Sequence, residues 1–284
     1  MSSPEITARI ERLFVYPIKS CAGVELDQAV LTETGLDLDR AWMVVDERGE
    51  FVTQRELPRM ALVRPQLKIH EVVLRAPGML ALHLQIDTVE QPAQVRLWDE
   101  SVSAYDMGPI AAQWFSDFLG RKLRLVRFDP DFRRLSDRRW TGELEAANQF
   151  NDGYPLLVLS QASLELLNEN LAAAGRPAVG IERFRPNIVL SGLQAHDEDR
   201  IALFEVDAQA PVRLKAVKPC PRCPIPDIDP ATAEIDTAVS QTLQAYRSDE
   251  RLNGAISFGM NLVVVHGFDE TLKVGQSVRA DFRF

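Results

Sequence analysis

Two of the chain's three cysteines stand in Lys218-Pro219-Cys220-Pro221-Arg222-Cys223-Pro224-Ile225-Pro226, a Cys-x-x-Cys hemmed in by prolines. A redox dithiol of this spacing opens a helix, but here Pro224 and Pro226 remove backbone donors and push Ile225 away from helical angles. A four-cysteine zinc or iron–sulfur centre needs a second ligand pair, and Cys21 stands alone near the other end. The pattern leaves a stiff loop presenting one or two thiols, with the Arg222 guanidinium beside them favouring thiolate over thiol. Such a thiolate suits a soft metal that brings most of its own coordination sphere. Two buried thiols acting as small hydrophobes are the competing explanation; the prolines and the cation weigh against it.

Three further segments offer cations at fixed points. Tyr16-Pro17-Ile18-Lys19-Ser20-Cys21-Ala22-Gly23 ends an apolar run in a turn that can offer Lys19, Ser20 and backbone N–H groups to a phosphate. Read alone, it is better explained as an ordinary turn with a snorkelling lysine. In Arg183-Phe184-Arg185-Pro186-Asn187 the proline stiffens the approach to Ile188-Val189-Leu190, aiming Arg185 and Asn187 at one point as bidentate anion binding requires. A surface ion pair before a strand explains that segment equally well. Asp39-Arg40-Ala41-Trp42 repeats the pattern and by itself decides nothing.

Other chemistries are excluded by what is missing. His70, His83, His196 and His266 are scattered without an i, i+4 pair, which argues against a histidine-built zinc or iron site. No Gly-x-Gly-x-x-Gly, Gly-x-x-x-x-Gly-Lys or Gly-x-Ser-x-Gly is present, so neither a nucleotide-binding loop nor a nucleophile elbow is written here. A net charge of −9 over 284 residues excludes general binding to nucleic acid or to an anionic membrane surface. It fits instead a small basic pocket for an anionic ligand. Met1 to Arg12 lacks an apolar h-region, the longest apolar runs (Leu262 to Val265, for example) cannot span a bilayer, and three cysteines make no disulfide scaffold. The expectation is a soluble, cytoplasmic protein.

The elements that must hold these residues read mainly as strands in the first half. They are expected at Ile10 to Ile18, Ala41 to Val45 and Phe51 to Thr53 around Gly49, then Leu62 to Ile69, Val72 to Arg75, Leu80 to Ile86, Val95 to Trp98 and Lys122 to Phe128. The stripe Ile110, Trp114, Phe115, Phe118, Leu119 predicts one helix closed by Gly120. Asp129 to Gln149 is charged and aperiodic, which marks a domain boundary and divides the chain into 1–128 and 129–284. Beyond it, strands are expected at Leu156 to Leu159, Ile188 to Leu190, Val212 to Val217, Asn261 to Val265 and Val278 to Phe282. One helix capped by Ser160 carries Leu164, Leu167, Leu171 and Ala174, and Val239, Leu243 and Tyr246 suggest another. Strands and helices do not alternate, so the fold class is α+β and β-rich, a β-barrel with a few packed helices rather than a doubly wound sheet.

Taken in order, Tyr-Pro-Ile-Lys-Ser-Cys, Asp-Arg-Ala-Trp, Asn151-Asp152-Gly153-Tyr154-Pro155, Phe-Arg-Pro-Asn-Ile-Val, Cys-Pro-Arg-Cys with Asp-Ile-Asp-Pro, and Phe258-Gly259-Met260-Asn261 resemble the MOSC-domain proteins. Within that family the chain is most similar to the mitochondrial amidoxime-reducing component and bacterial relatives that detoxify N-hydroxylated purines, from Leu13 to about Val278. The resemblance implies an N-terminal MOSC β-barrel domain followed by a MOSC domain, with a mononuclear molybdenum cofactor (Mo-molybdopterin) between them. It implies that Cys223 ligates the metal, that Lys19, Ser20, Arg40, Arg185, Asn187 and Arg222 hold the pterin and its phosphate, and that Asp152 lies near the metal and relays protons. Gly153, Tyr154 and Asn261 occupy further cofactor-contact positions. The mammalian relatives carry Thr-Ser and a tyrosine there, and a small polar residue in place of Pro221, so contacts at these points are expected to differ.

The implied activity is reduction of N-hydroxylated compounds, hydroxylaminopurines or amidoximes, with oxygen removal at a single cysteine-ligated molybdenum. Three cysteines are too few for a ferredoxin cluster plus the metal ligand, so electrons are expected from a separate flavoprotein or small redox carrier. The rival reading is a cofactor carrier or sulfur-transfer accessory without turnover, with Cys223 as persulfide. MOSC domains also occur fused to cofactor sulfurases, but this chain has no pyridoxal-phosphate domain to match them.

Overall fold

The computed structural model describes residues 6–89 and 91–282. Its centre is a closed seven-stranded barrel. Around the barrel run Leu156–Ser160, Ile188–Ser191, Ile6–Val15, Ser277–Phe282, Ile201–Val206, Val212–Pro221 and Ala255–His266, and the last pairs back onto the first through Leu156↔Leu262 and Val158↔Met260. Every barrel pairing is antiparallel except Leu156–Ser160 with Ile188–Ser191. That parallel pair needs a crossover, and the helix Gln161–Ala173 supplies the first half of it. Inward-facing residues of alternate position, among them Ile10, Val158, Leu190, Phe204, Leu214 and Leu262, are buried in one cluster and fill the barrel.

The strand Ile6–Val15 thus comes from one end of the chain and is flanked by Ile188–Ser191 and Ser277–Phe282 from the second half. Residues 42–128 build a separate core. A four-stranded sheet (Trp42–Asp46, Leu123–Phe128, Glu100–Asp106, Gln91–Leu97) and a three-stranded one (Arg64–Leu67, Glu71–Arg75, Leu82–Gln85) enclose the helix Gly108–Leu119. Trp114, Phe115 and Phe118 of that helix are its anchors. Gly120 ends the helix at φ 70° and its N–H donates to the Ser116 carbonyl, the left-handed cap expected of glycine.

The departures from the sequence pattern have local causes. Leu80 lies outside its strand and is 89% exposed, because only its carbonyl is used, accepting from Trp114 Nε1 at 2.7 Å. Glu100–Asp106 buries only Val102 and Ala104, too thin a stripe to read as a strand. In Ile201–Val206 a register shift between Ile201 and Leu203 breaks the alternation. Ala174 falls just past its helix and faces solvent. The aperiodic stretch 129–149 forms a two-residue pairing, Arg134–Leu135 with Ala147–Asn148, and the short helix Arg138–Thr141. Arg134 there is 4% exposed; its guanidinium binds Glu100 at 2.9 Å and the carbonyls of Gln149 and Asn151 at 2.9 and 2.8 Å. The charged stretch therefore fixes the loop that follows it.

Candidate active site

The strand Val212–Pro221 ends in the cysteine motif. Pro219 and Pro221 cannot donate to a ladder, and the pairing with Ala255–His266 slips between Ala216 and Lys218 and again between Pro219 and Pro221. Cys220 is still on the strand; Cys223 lies beyond it, before the 3-10 turn Ile225–Asp227. Arg222 staples this turn. Its Nε and Nη2 donate to the Phe258 carbonyl and its Nη1 to the Phe184 carbonyl at 2.9 Å. Gly259, next to Phe258, has φ +83° and no room for a Cβ, which would lie 2.7 Å from the Val158 carbonyl.

The motif opens onto a cleft of about 840 Å³, mouth included. Every residue assigned to the site from the sequence lines it: Cys223 and Arg222 on the hairpin, Lys19 and Ser20 in the turn after the first strand, Arg40 in the turn before Trp42–Asp46, Arg185 and Asn187, the run Asp152-Gly153-Tyr154, and Asn261. Segments more than two hundred residues apart in sequence meet here.

Tyr16 is the platform for two of the cations. The Arg40 and Arg185 guanidinium carbons lie 4.4 and 4.2 Å from its ring centroid. Gly23 passes so close that a Cβ would be 2.5 Å from the same ring. Arg40 pairs with the buried carboxylate of Asp39, which also accepts the Tyr16 N–H at 2.8 Å, and its Nη2 donates to the Arg185 carbonyl at 3.2 Å. Arg185 Nη1 donates to the Cys21 carbonyl at 2.6 Å, and no carboxylate pairs with it among the described residues. Burial, with Arg40 nearby, pulls its guanidinium down to about 10. An arginine so placed lacks an anion. Ser20, Arg40 and Arg185 also hold φ of 68°, 54° and 57°. Left-handed backbone at three non-glycine residues of one cleft is strain of the kind that gathers at functional sites.

Lys19 is buried, its Nζ donating to the Phe150 carbonyl at 2.9 Å and to Asp152 Oδ1. Burial lowers its pKa, and Asp152 opposes this. For Asp152 the desolvating walls would raise the pKa, but Lys19, with Arg55 and Arg40, holds it at about 2. At neutral pH it is a carboxylate that can accept a proton but carries none to give. Asn187 is committed to the fold: Leu157 N–H donates to its Oδ1 at 3.1 Å, and its Nδ2 donates to the Phe14 carbonyl at 3.2 Å. Asn261 Nδ2 donates to the Lys218 carbonyl at 3.2 Å, and the Tyr154 hydroxyl is buried without a partner.

The expectation that Arg222 would favour thiolate at the hairpin needs correction at Cys220. Arg222 does pull that thiol towards thiolate, but burial outweighs it and pushes the thiol up. Cys21 is buried outright and its thiol is pushed up to about 12. Sequence reasoning missed Thr53, Arg55, Asn151 and Arg183, which also line the cleft. Arg183 reaches the far side of the cysteine loop, binding the Pro226 carbonyl at 3.1 Å and Asp229 at 2.9 Å. The only signal for Arg55 was its place after a strand in an otherwise plain turn, where its guanidinium lies 4.7 Å from the Trp98 ring.

The donor set fits an anionic cofactor that brings its own metal ligands. Among the described residues no three His, Cys, Asp or Glu gather to hold an ion, so a metal here would need ligands supplied from outside the chain. Arg185, over Tyr16 and without a carboxylate partner among the described residues, suits a phosphate.

Comparison with known families agrees. The MOSC N-terminal beta barrel domain matches residues 7–122 and the MOSC domain matches residues 145–279. The chain belongs to the MOSC-domain family. Mitochondrial amidoxime reducing component 2 of Rattus norvegicus is 34% identical over 250 residues, covering 84% of this chain and 72% of that protein. Mitochondrial amidoxime-reducing component 1 of Mus musculus is 34% identical over 284 residues, 95% of this chain and 81% of that one. Molybdenum cofactor sulfurase of Bos taurus is 28% identical over 271 residues, 89% of this chain but 30% of that protein. Among the described residues no helix is long and apolar enough to cross a membrane.

Proposed function

We propose that the protein is a molybdenum-cofactor-dependent reductase of N-hydroxylated compounds, with electrons supplied by a separate flavoprotein or small redox carrier in the cytoplasm. The observation that carries the reading is the convergence of a hairpin cysteine, Cys223, with Lys19, Arg40 and Arg185 on one cleft. Similarity to amidoxime-reducing components over most of the chain supports it. In this reading Arg40, Arg185, Ser20 and Lys19 would hold the pterin phosphate and Cys223 would ligate the metal. Bound there, the cofactor supplies two-electron chemistry that removes oxygen from an N–O bond. The chain's own part is to orient and to manage protons: Asp152, held ionised, accepts a hydrogen bond from an N-hydroxyl group or a water, and Lys19 fixes it in place. Asn187 and Arg222 act by holding the strands and the hairpin in register rather than by contact with a reactant.

The test is elemental analysis of protein purified from a host competent in molybdenum-cofactor synthesis. About one molybdenum per chain is expected in the parent and in Cys220→Ser, and none in Cys223→Ala. A Cys223→Ala protein retaining molybdenum and reductase activity would refute the reading. Similarity to the sulfurase supports a second reading, cofactor carriage or sulfur transfer; persulfide on Cys223 with no turnover of N-hydroxylated substrates would favour it.

A further inference from the structure

Arg55 lines the cleft yet lies outside the set proposed to hold the cofactor. It stands in a hydrogen-bonded turn. The Thr53 carbonyl accepts from the N–H groups of Glu56 and Leu57 at 3.0 Å, and the Thr53 hydroxyl accepts from Arg55 N–H at 3.3 Å and Nε at 3.2 Å. Among the described residues neither Nη of Arg55 has a hydrogen-bond partner, and no carboxylate pairs with the guanidinium. The side chain is half-buried, and neither Nη is shut off from solvent. The chain has 41 aspartates and glutamates against 32 lysines and arginines, so a cation left unpaired in a cleft is the exception. Glu56, the next residue, pairs with Arg121 at 3.3 Å, and Asp152 is bound by Lys19. Arg55 is thus kept free for an anion from outside the chain.

Trp98 holds it in place. The Arg55 guanidinium carbon lies 4.7 Å from the Trp98 ring centroid, and the Phe51 ring lies 4.8 Å from the same ring. Trp98 opens the two-residue turn between Leu97 and Glu100 at φ 57°, where glycine or asparagine is usual. A tryptophan there strains the backbone, and such strain gathers where function requires the side chain. Glu100 is gripped by Arg134, whose guanidinium also binds the Gln149 and Asn151 carbonyls. The tryptophan turn and the loop carrying Asp152 are therefore fastened to one residue. After Lys19, Arg55 acts on the Asp152 charge ahead of Arg40. Arg40 and Arg185 stand on Tyr16, whereas Arg55 stands on a different platform, in the core of residues 42–128.

We propose that Arg55 is a specificity residue: it takes a carboxylate or other oxyanion on the body of an N-hydroxylated compound whose N–O group lies against Asp152, with Trp98 as the positioning residue behind it. The inference deepens the reductase reading and rests on it for the reaction; the capture of an anion by Arg55 does not.

The substrates are para-carboxybenzamidoxime and its uncharged counterpart benzamidoxime; para-carbamoylbenzoate and benzamide are the matching inert pair. In the molybdenum-loaded chain, kcat/KM for the carboxylated substrate is expected to be about tenfold higher, through KM, the gain from hydrogen bonds between charged groups. Isothermal titration should show the same preference in the inert pair. Arg55→Gln should abolish both preferences with molybdenum content unchanged. Trp98→Gly, which suits the left-handed turn, should lower both; preferences untouched by it would overturn the positioning role. Equal handling of charged and uncharged compounds by the parent, or a preference that survives Arg55→Gln, would overturn the proposal. Loss of molybdenum from Arg55→Gln would also overturn it, by giving the guanidinium to the cofactor. Should neither substrate be turned over, the reductase reading fails, and the titration alone decides whether Arg55 captures an anion.

Discussion

Lys19 and Asp152, 133 residues apart in the sequence, form an ion pair at the cleft in which the lysine side chain is 7% exposed and the carboxylate 68%. The pair sets a pH dependence whose sign is fixed. Asp152 sits at about 2 against its ordinary 3.8, so it contributes stability that is fully present above about pH 4 and is lost as pH falls through 2. Asp152→Asn should therefore differ from the parent at neutral pH, with the gap closing between about pH 4 and 2. Denaturation midpoints measured across that range check it; a gap that persists unchanged at pH 2 would show that the carboxylate charge is not what matters. Because Asp152 is largely exposed, the effect is expected to be modest.

Tyr16 separates shape from polarity. Its hydroxyl is buried without a partner, while its ring carries Arg40 and Arg185. Tyr16→Phe keeps the ring and removes the orphan, so stability should hold within about 0.5 kcal/mol or rise. Tyr16→Leu loses the platform and should cost about 2–3 kcal/mol by urea denaturation, with lower molybdenum occupancy in the cofactor-competent host. Equal losses in both variants would place the effect in the hydroxyl instead.

The contrast between these residues shows what the sequence could convey. The cleft's residues were legible because Cys220-Pro221-Arg222-Cys223 and the short motifs around Lys19, Arg40 and Arg185 carry their own residue types, and those segments do converge on one cleft. Their division of labour was not legible. Asn187 looks like an anion ligand in the chain, yet both ends of its amide bind backbone from two other strands. Arg222 looks like a thiol activator and is also a staple. Arg134, in a stretch read as a boundary, is a buried clamp on the loop that carries Asp152. Apart from Glu100 on Arg134, the partners are backbone carbonyls or N–H groups, and every residue carries the same backbone groups, so no residue type announces them. The barrel was legible from strand patterning, but the seating of Ile6–Val15 among strands of the second half depends on pairing partners that alternation does not encode.

Arg222 offers the sharpest test of that division. Its fork joins the cysteine hairpin to Phe258 on the neighbouring strand and to Phe184 at the end of the turn before Arg185. A lysine keeps the positive charge but cannot present donors in two fixed directions, so it leaves at least one of these carbonyls without a partner. If Arg222 acted through charge on the thiols, Arg222→Lys would be nearly silent. Acting as a staple, it should cost about 2–3 kcal/mol in urea denaturation, the range for hydrogen bonds from a charged donor, and lower molybdenum retention through a loosened Cys223. A Lys variant as stable as the parent, with full metal content, would return Arg222 to the role of a nearby charge.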